Sequence, residues 1–375
     1  MKYLSHIFSL VAVICLTFSC AKIEQTGGGM DKKLIRYDVV QDRSSATKAA
    51  GAYPSGETFA AYAWYLPEGM KWSTDKADAQ LYINEAQVSY DGISNSWYDK
   101  TKTYYWPKTG ALTFFSISPY SVASAVELTQ NYGFWISDWN VHEHQDADIM
   151  VSDIQTDKNA NETYGSFTGV PTVFRHKLSM IEGFTFNTFK EYAPGKTGSG
   201  YKKEDKRFFI EEIKINNLKQ EGRFVSGNSP SSTNIGLWLV SGSSAENDYI
   251  WFSGNEEVDY NPSVPESIAP TGLSGNQNIL VLPQTFADPG AADISTVPNI
   301  EITFTTWTYS DNSNHYTTHT TTARAPLYAV LQSVGNKMDM NKKIVFNITI
   351  NLNSNLIIWA PDQNDWTGDD FNISI

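Results

Sequence analysis

Cysteine is almost missing from this chain of 375 residues: it has two, Cys15 and Cys20, both near the amino terminus. Loss of residues 1–19 would leave Cys20 alone, so the remaining body has no internal disulfide to hold it together. Basic charge is also scarce. With 28 Lys and Arg against 41 Asp and Glu, the formal net charge is −13, which excludes nucleic acid as a partner because phosphate binding needs clustered cations. Long apolar runs are lacking too. The longest, Ile7 to Phe18, falls short of the roughly 20 residues needed to span a bilayer core, so the body reads as soluble. The chain shows no G-x-S-x-G, no P-loop and no dinucleotide fingerprint in a βαβ setting. It is read as a non-enzyme without a cofactor.

The short apolar run has the form of a signal peptide. Lys2 supplies the positive start, Ile7–Phe18 the apolar stretch, and Thr17, Phe18 and Ser19 the residues before a cut. Cys20 would then open the mature chain. A cysteine in that place resembles the lipobox of bacterial lipoproteins, which implies a diacylglyceryl thioether on Cys20, acylation and an outer-membrane anchor; an ordinary secretory signal is the alternative. Residues 20–32 include Gly27, Gly28 and Gly29 and read as a flexible, lipidated tether.

Beyond the tether, hydrophobic periodicity is two. Ile344, Phe346, Ile348, Ile350 and Leu352 alternate with polar or outward residues. So do Ile300, Ile302 and Phe304 in NIEITF, and Ile213 and Ile215 in EIKIN. ALTFFSISPY and NILVLPQTF are continuous apolar runs ended by Pro119 and Pro283, as expected of core strands that stop where a donor is lost. Turn clusters such as GNSPSSTN and SGSSAEND separate the strands. Helices should be few and short, with one near Ser121–Leu128. Strands with one wet face bury the other by stacking sheet on sheet. A body of this length favours two cores, so the expected fold is all-β, as two tandem β-sandwich domains. The polar stretch TDKNANETYGSFTG places the join near 165, giving domains at 33–165 and 166–375.

No cluster builds a convincing chemical site. His142 and His144, with Asp146 and Asp148 nearby, form the most metal-like group. Two histidines lack the further ligands of a zinc site, so a polar loop is the preferred reading and no metal is assigned. His315 and His319 are read as a surface pair, and His176 as a core or edge residue. DQNDWTGDD is acid-rich but lacks EF-hand spacing. Glu211–Glu212 and Glu256–Glu257 are sequence neighbours, which a strand points to opposite faces. The 11 Trp and 20 Tyr leave a second functional reading open: a surface lipoprotein that binds glycans through aromatic platforms, with Trp97, Trp135, Trp139 and Trp251 as candidates beside their ordinary role in packing.

The ordered set YYWPKTGALTFFSISPY, DADIMVSD, VFRHKLSMIEGF, NILVLPQTF and KKIVFNITI, closing near Asp365 and Trp366, resembles the Bacteroidales fimbrillin family, the subunits of type V pili. That resemblance covers nearly the whole mature chain. It implies transthyretin-like sandwich domains, an outer-membrane lipoprotein precursor, proteolytic trimming, and assembly with other pilus subunits by donor-strand exchange into an adhesive fimbria whose receptor is unknown. Physically, such exchange needs a removable strand and a donated one. LIRYDVV is the removable candidate, because Ile35, Tyr37 and Val39 alternate with Arg36 and Asp38. The loop that follows holds Arg43 and Lys48. The family's protease is expected to cut after a basic residue, commonly arginine; a lysine stands at the expected site here, so the cut falls at Lys48 or moves to Arg43, and residues 33–48 would be lost on maturation. DDFNISI at the carboxyl end is the donor candidate, with Phe371, Ile373 and Ile375 on one side. It can equally be a final strand folded into its own domain.

Overall fold

The computed structural model describes residues 33–41, 51–130, 133–162, 168–189, 206–227, 236–240, 246–257, 266–267, 278–310, 315–351 and 356–366. Strands dominate, as the period-two pattern requires. The first body contains β1 (Tyr37–Gln41), β2 (Gly51–Ala52), β3 (Thr58–Leu66), β4 (Gln80–Asp91), β5 (Ser96–Asp99), β6 (Ala111–Ser118), β7 (Val126–Thr129), β8 (Gly133–Asn140), β9 (Met150–Ser152), β10 (Gln155–Lys158) and β11 (Val170–His176). A nine-stranded sheet runs β10-β6-β3-β4-β5-β1-β11-β9 with β2 on β1, and β9 also pairs with β6. The sheet therefore closes into a barrel-like ring, where an open sandwich was expected. Closure depends on the short β9, whose Val151 stands opposite both Arg175 of β11 and Ile117 of β6. The boundary read at 165 falls before β11, which is hydrogen-bonded into this ring.

Inside the ring, Phe59, Ala61 and Ala63 of β3 face Leu112 and Phe114 of β6, together with Trp97 and Phe174. The alanines leave room for the rings. The opposite face of the same strands is also buried: Ala60, Tyr62, Trp64, Phe115 and Ile117 lie under a second layer. Burial on both faces explains why TFAAYAWYL and ALTFFSIS read as continuous apolar runs without alternation. The covering layer is the sheet β15-β14-β8-β7, in which β14 (Glu221–Val225) and β15 (Leu237–Val240) come from the later half of the chain. The two halves thus interlock. Gly133 opens β8 with φ +84°, and a Cβ there would lie 2.1 Å from the Phe115 ring, so the turn requires glycine. The helix expected at Ser121–Leu128 is a 3₁₀ helix only over Tyr120–Ala125, after which Val126–Thr129 pairs as β7.

The second body adds β12 (Ser179–Phe189), β13 (Lys206–Lys219), β16 (Glu246–Glu257), β17 (Glu266–Ser267), β18 (Ile279–Val281), β19 (Gln284–Thr285), β20 (Asn299–Ser310), β21 (His315–Pro326), β22 (Lys337–Met338), β23 (Lys342–Asn351) and β24 (Leu356–Asp365). Here the arrangement is a sandwich. One sheet, β17-β12-β23-β24 with β18 on β12, stacks on another, β16-β13-β20-β21. Ile344, Phe346 and Ile348 of β23 meet Ile213, Ile215, Ile300, Ile302 and Phe304 in its core, the faces that alternation assigned inward. Among the described residues, no helix is long and apolar enough to cross a membrane.

Candidate functional site

The amino-terminal segment fills the ring. Ile35, Tyr37 and Val39 are 2%, 4% and 8% exposed and belong to the ring's interior cluster. Alternation puts these three on the inner face, and the aromatic lining receives them: Tyr37 meets Phe59 and Phe114 edge-on, at centroid distances of 5.7 Å and 6.0 Å. Burial holds the Tyr37 phenol well above its ordinary pKa, and the neighbouring Tyr104 and Asp99 add to the shift. The phenol stays neutral, and among the described residues its buried hydroxyl has no hydrogen-bond partner, which offsets part of what the ring's burial contributes. Full burial of a large apolar side chain contributes about 1.5–3 kcal/mol, so these three together contribute on the order of 5–9 kcal/mol to holding the segment in place.

Backbone contacts to the two sides are unequal. Along β11 the strand pairs in parallel register from Tyr37↔Val170 to Gln41↔Phe174, and Val170 N–H donates to the Arg36 carbonyl at 2.8 Å. Asp38 accepts from Thr168 N–H at 2.8 Å. On its other edge β1 makes a single pair with β5, Tyr37↔Trp97, and two with β2, Val40↔Ala52 and Gln41↔Gly51. Upstream, Ile35 N–H donates to the Tyr104 carbonyl at 2.9 Å, and Trp106 N–H donates to that of Lys33 at 3.0 Å. The strand is a stave of a closed ring, and its second edge is divided among β5, β2 and Tyr105 rather than held by one continuous partner. Close approach on the other seam depends on Gly169, where a Cβ would stand 2.7 Å from the Arg36 carbonyl oxygen. Nothing in the local pattern pointed to Gly169, although a glycine just before an apolar run is the available signal.

At the upstream end of β1 lies a cleft of about 420 Å³ lined by residues including Lys33, Met70, Pro107, Lys108 and Asn161. Lys33 reaches across it to the Ala160 carbonyl at 2.9 Å. Below the strand, Tyr53 packs against Trp97 and Phe174 at 5.3 Å and 5.1 Å, and its hydroxyl meets that of Ser118 at 2.7 Å. Tyr53 follows both cleavage candidates in the chain, so the groove keeps this aromatic floor if β1 leaves. Cys20, Arg43, Lys48, Phe371, Ile373 and Ile375 lie outside the described residues.

The other clusters disperse. His142 and His144 sit in a turn rather than a strand: His142 meets Tyr249 edge-on at 5.0 Å, and His144 stacks on Trp139 at 4.3 Å. Asp148 instead meets His176 Nδ1 at 2.6 Å. Among the described residues, no group of three or more His, Cys, Asp or Glu is placed to hold a metal ion. Of the proposed aromatic platforms, Trp97, Trp139 and Trp251 are buried. Trp135 is half-buried, donates to Glu127 at 2.6 Å and lies under the Arg223 guanidinium.

The junction of the two bodies was not read from the sequence. His176 stacks on Trp366 at 4.0 Å with the planes 6° apart. Lys177 beside it is buried, and burial lowers its pKa to about 7 despite Asp153, with Arg175 pushing the same way as burial. Trp238 Nε1 donates to the Lys177 carbonyl, and Trp366 N–H donates to the Asn341 carbonyl at 3.1 Å. The chain thus fixes its last described residue, Trp366, at this junction.

A sequence profile described as fimbrillin-like matches residues 51–366. The chain belongs to the fimbrillin-like family. No curated protein matches it. Among solved structures, it is similar to a fimbrial protein from Bacteroides vulgatus, with TM-score 0.57 and 16% identity over 89% of this chain and 100% of that one. The fimbrial anchor protein Mfa2 of Porphyromonas gingivalis is also similar, at TM-score 0.31 and 12% identity over 90% and 99%. So is the tip fimbrial protein Mfa3 of the same organism, at 0.34 and 11% over 83% and 94%. The last two likenesses are too low to carry an argument. Family membership makes this fimbrillin a structural protein rather than an enzyme and supports a pilus-subunit role at the cell surface.

Proposed function

We propose that this fimbrillin is exported as a lipoprotein precursor through Cys20, reaches the outer-membrane surface with β1 stored in its own ring, and polymerises once β1 is cut away. Trimming after Arg43 or Lys48 frees a strand that contributes three apolar side chains to the ring but is paired on one edge only in short pieces, once with β5 and twice with β2. That combination carries the reading, because it makes a segment that stabilises the monomer and still lacks a continuous partner on one side. Its departure would leave an apolar groove floored by Phe59, Trp97, Phe114 and Phe174, and a neighbour's alternating strand can refill such a groove with side chains and main-chain hydrogen bonds. Phe371, Ile373 and Ile375 of the next subunit supply that pattern. The profile match begins at residue 51 and ends at 366, so both exchange candidates flank the matched body, which is consistent with their separate role. In this reading the two bodies are tandem transthyretin-like modules, the first completed by β1 and β9 and covered in part by β14 and β15 from the later half of the chain. The resulting fimbria supports adhesion.

Deleting Phe371–Ile375 tests the proposal. Loss of detergent-resistant ladders with an unchanged melting profile of the monomer supports donation. A misfolded monomer assigns the segment to its own domain and overturns it. A chain that accepts a strand but cannot donate one would act at a fimbrial tip.

A further inference from the structure

The wet face of the sheet β16-β13-β20-β21 carries an aromatic cluster apart from the core. Phe209, Trp307 and Tyr316 step diagonally across β13, β20 and β21, with ring centroids 5.0 Å and 5.9 Å apart. The core-facing residues of β13 are Phe208, Ile210 and Ile213, so Phe209 points the other way, yet it is 7% exposed. Its cover is the Arg207 guanidinium, 4.9 Å from the Phe209 centroid and 5.4 Å from that of Trp307. Glu257 pairs with Arg207 and holds it there. Trp307 and Tyr316 remain half-exposed, and Thr318 and Thr320 beside them are exposed. Thr305 joins the fringe: its hydroxyl contacts that of Thr320 at 2.6 Å and donates to Glu211 at 2.5 Å.

We propose that this ledge binds a neutral hexopyranose chain. A pyranose is flat and two-natured: its axial C–H groups form an apolar face, and its equatorial hydroxyls ring the edge. An aromatic face attracts the first through its negative π-surface, and threonine hydroxyls and carboxylates bond the second. Charge selects against acidic sugars. Arg207 is already paired with Glu257, Arg324 nearby is paired with Glu301, and Glu211 adds negative charge. Among the described residues the ledge also ends at an edge strand, β21. Its position is separate from the β1 groove, and binding there needs no strand exchange.

Native electrophoresis of the full chain in gels cast with mannan or dextran, and with hyaluronan as the acidic comparison, tests the ledge. The expected result is retardation by at least one neutral polymer, with Trp307→Ala raising the apparent Kd by about tenfold, as loss of an aromatic anchor does. Thr318→Lys, an exposed change that leaves the core intact, should obstruct the same ledge and give a comparable loss. Trp135→Ala, on another sheet, should leave retardation unchanged. Retardation by hyaluronan alone, retardation unaltered in both Trp307→Ala and Thr318→Lys, or no retardation by either neutral polymer overturns the proposal.

Discussion

Tyr37→Ala probes the plug in the ring. The side chain is 4% exposed and lies edge-on to Phe59 and Phe114, so truncation leaves an aromatic-sized void that the surrounding strands can fill only in part. Comparable losses of a buried aromatic cost about 3–5 kcal/mol, a large share of the roughly 5–15 kcal/mol that holds a domain folded. Urea unfolding of the full chain, followed by the fluorescence of ring tryptophans such as Trp97 and Trp106, measures the effect. With a slope of about 1–3 kcal/mol per molar, the midpoint should fall by about 1–5 M. The same substitution should have no effect once the chain has been trimmed after Arg43 or Lys48 and the fragment removed, because residue 37 has gone with it. A shift worth less than about 1 kcal/mol in the full chain, or a difference that persists after trimming, refutes the assignment of β1 as a removable plug.

Other consequences follow from neighbouring contacts. Gly169→Ala places a methyl group against the Arg36 carbonyl, so it should loosen the β1–β11 seam and speed the release of the trimmed fragment, read by timed gel filtration. Lys177 has a folded pKa lowered to about 7 from 10.5. Between those values the unfolded chain binds the extra proton, so stability should rise with pH from about 7 to 10.5 and be lowest below 7, by an amount on the order of 5 kcal/mol. Lys177→Met should flatten that rise and stabilise the chain at pH 7, as seen in melting temperature against pH. Trp366→Ala removes a ring that is 1% exposed and stacked on His176; the expected cost is about 3–5 kcal/mol by denaturant titration.

Much of the second body was legible because its strands have one wet face. Ile344, Phe346 and Ile348, or Ile300, Ile302 and Phe304, alternate in sequence as they do in space. The inner face of β1 was legible for the same reason, since Ile35, Tyr37 and Val39 alternate in sequence and are buried together. Its partners were not. Tyr37 pairs with Val170 across more than a hundred residues, and register over such separations leaves no local mark. Ring closure was hidden for a related reason: β9 is a strand of 3 residues whose importance lies in the two neighbours it joins. The polar stretch after residue 155 suggested a domain boundary but includes β10, a strand on the ring with all four residues half-buried. His142 and His144 were read as part of a polar loop, and the chain does turn there, directing them to Tyr249 and Trp139. The burial of Lys177 left no mark in the sequence, because the layer formed by β14 and β15, supplied from the other half of the chain, is what covers it.

The central claim is that β1 is held in place until cleavage and then displaced by a neighbour. Limited digestion of the full chain with an Arg- and Lys-specific protease, with amino-terminal sequencing and light scattering of each time point, tests it most directly. The account predicts a new terminus at Ser44 or Ala49, loss of the fragment carrying Tyr37, and growth in mass as that fragment leaves. A cut chain that keeps the fragment and remains monomeric, or polymers that form with Tyr37 still attached, would contradict it.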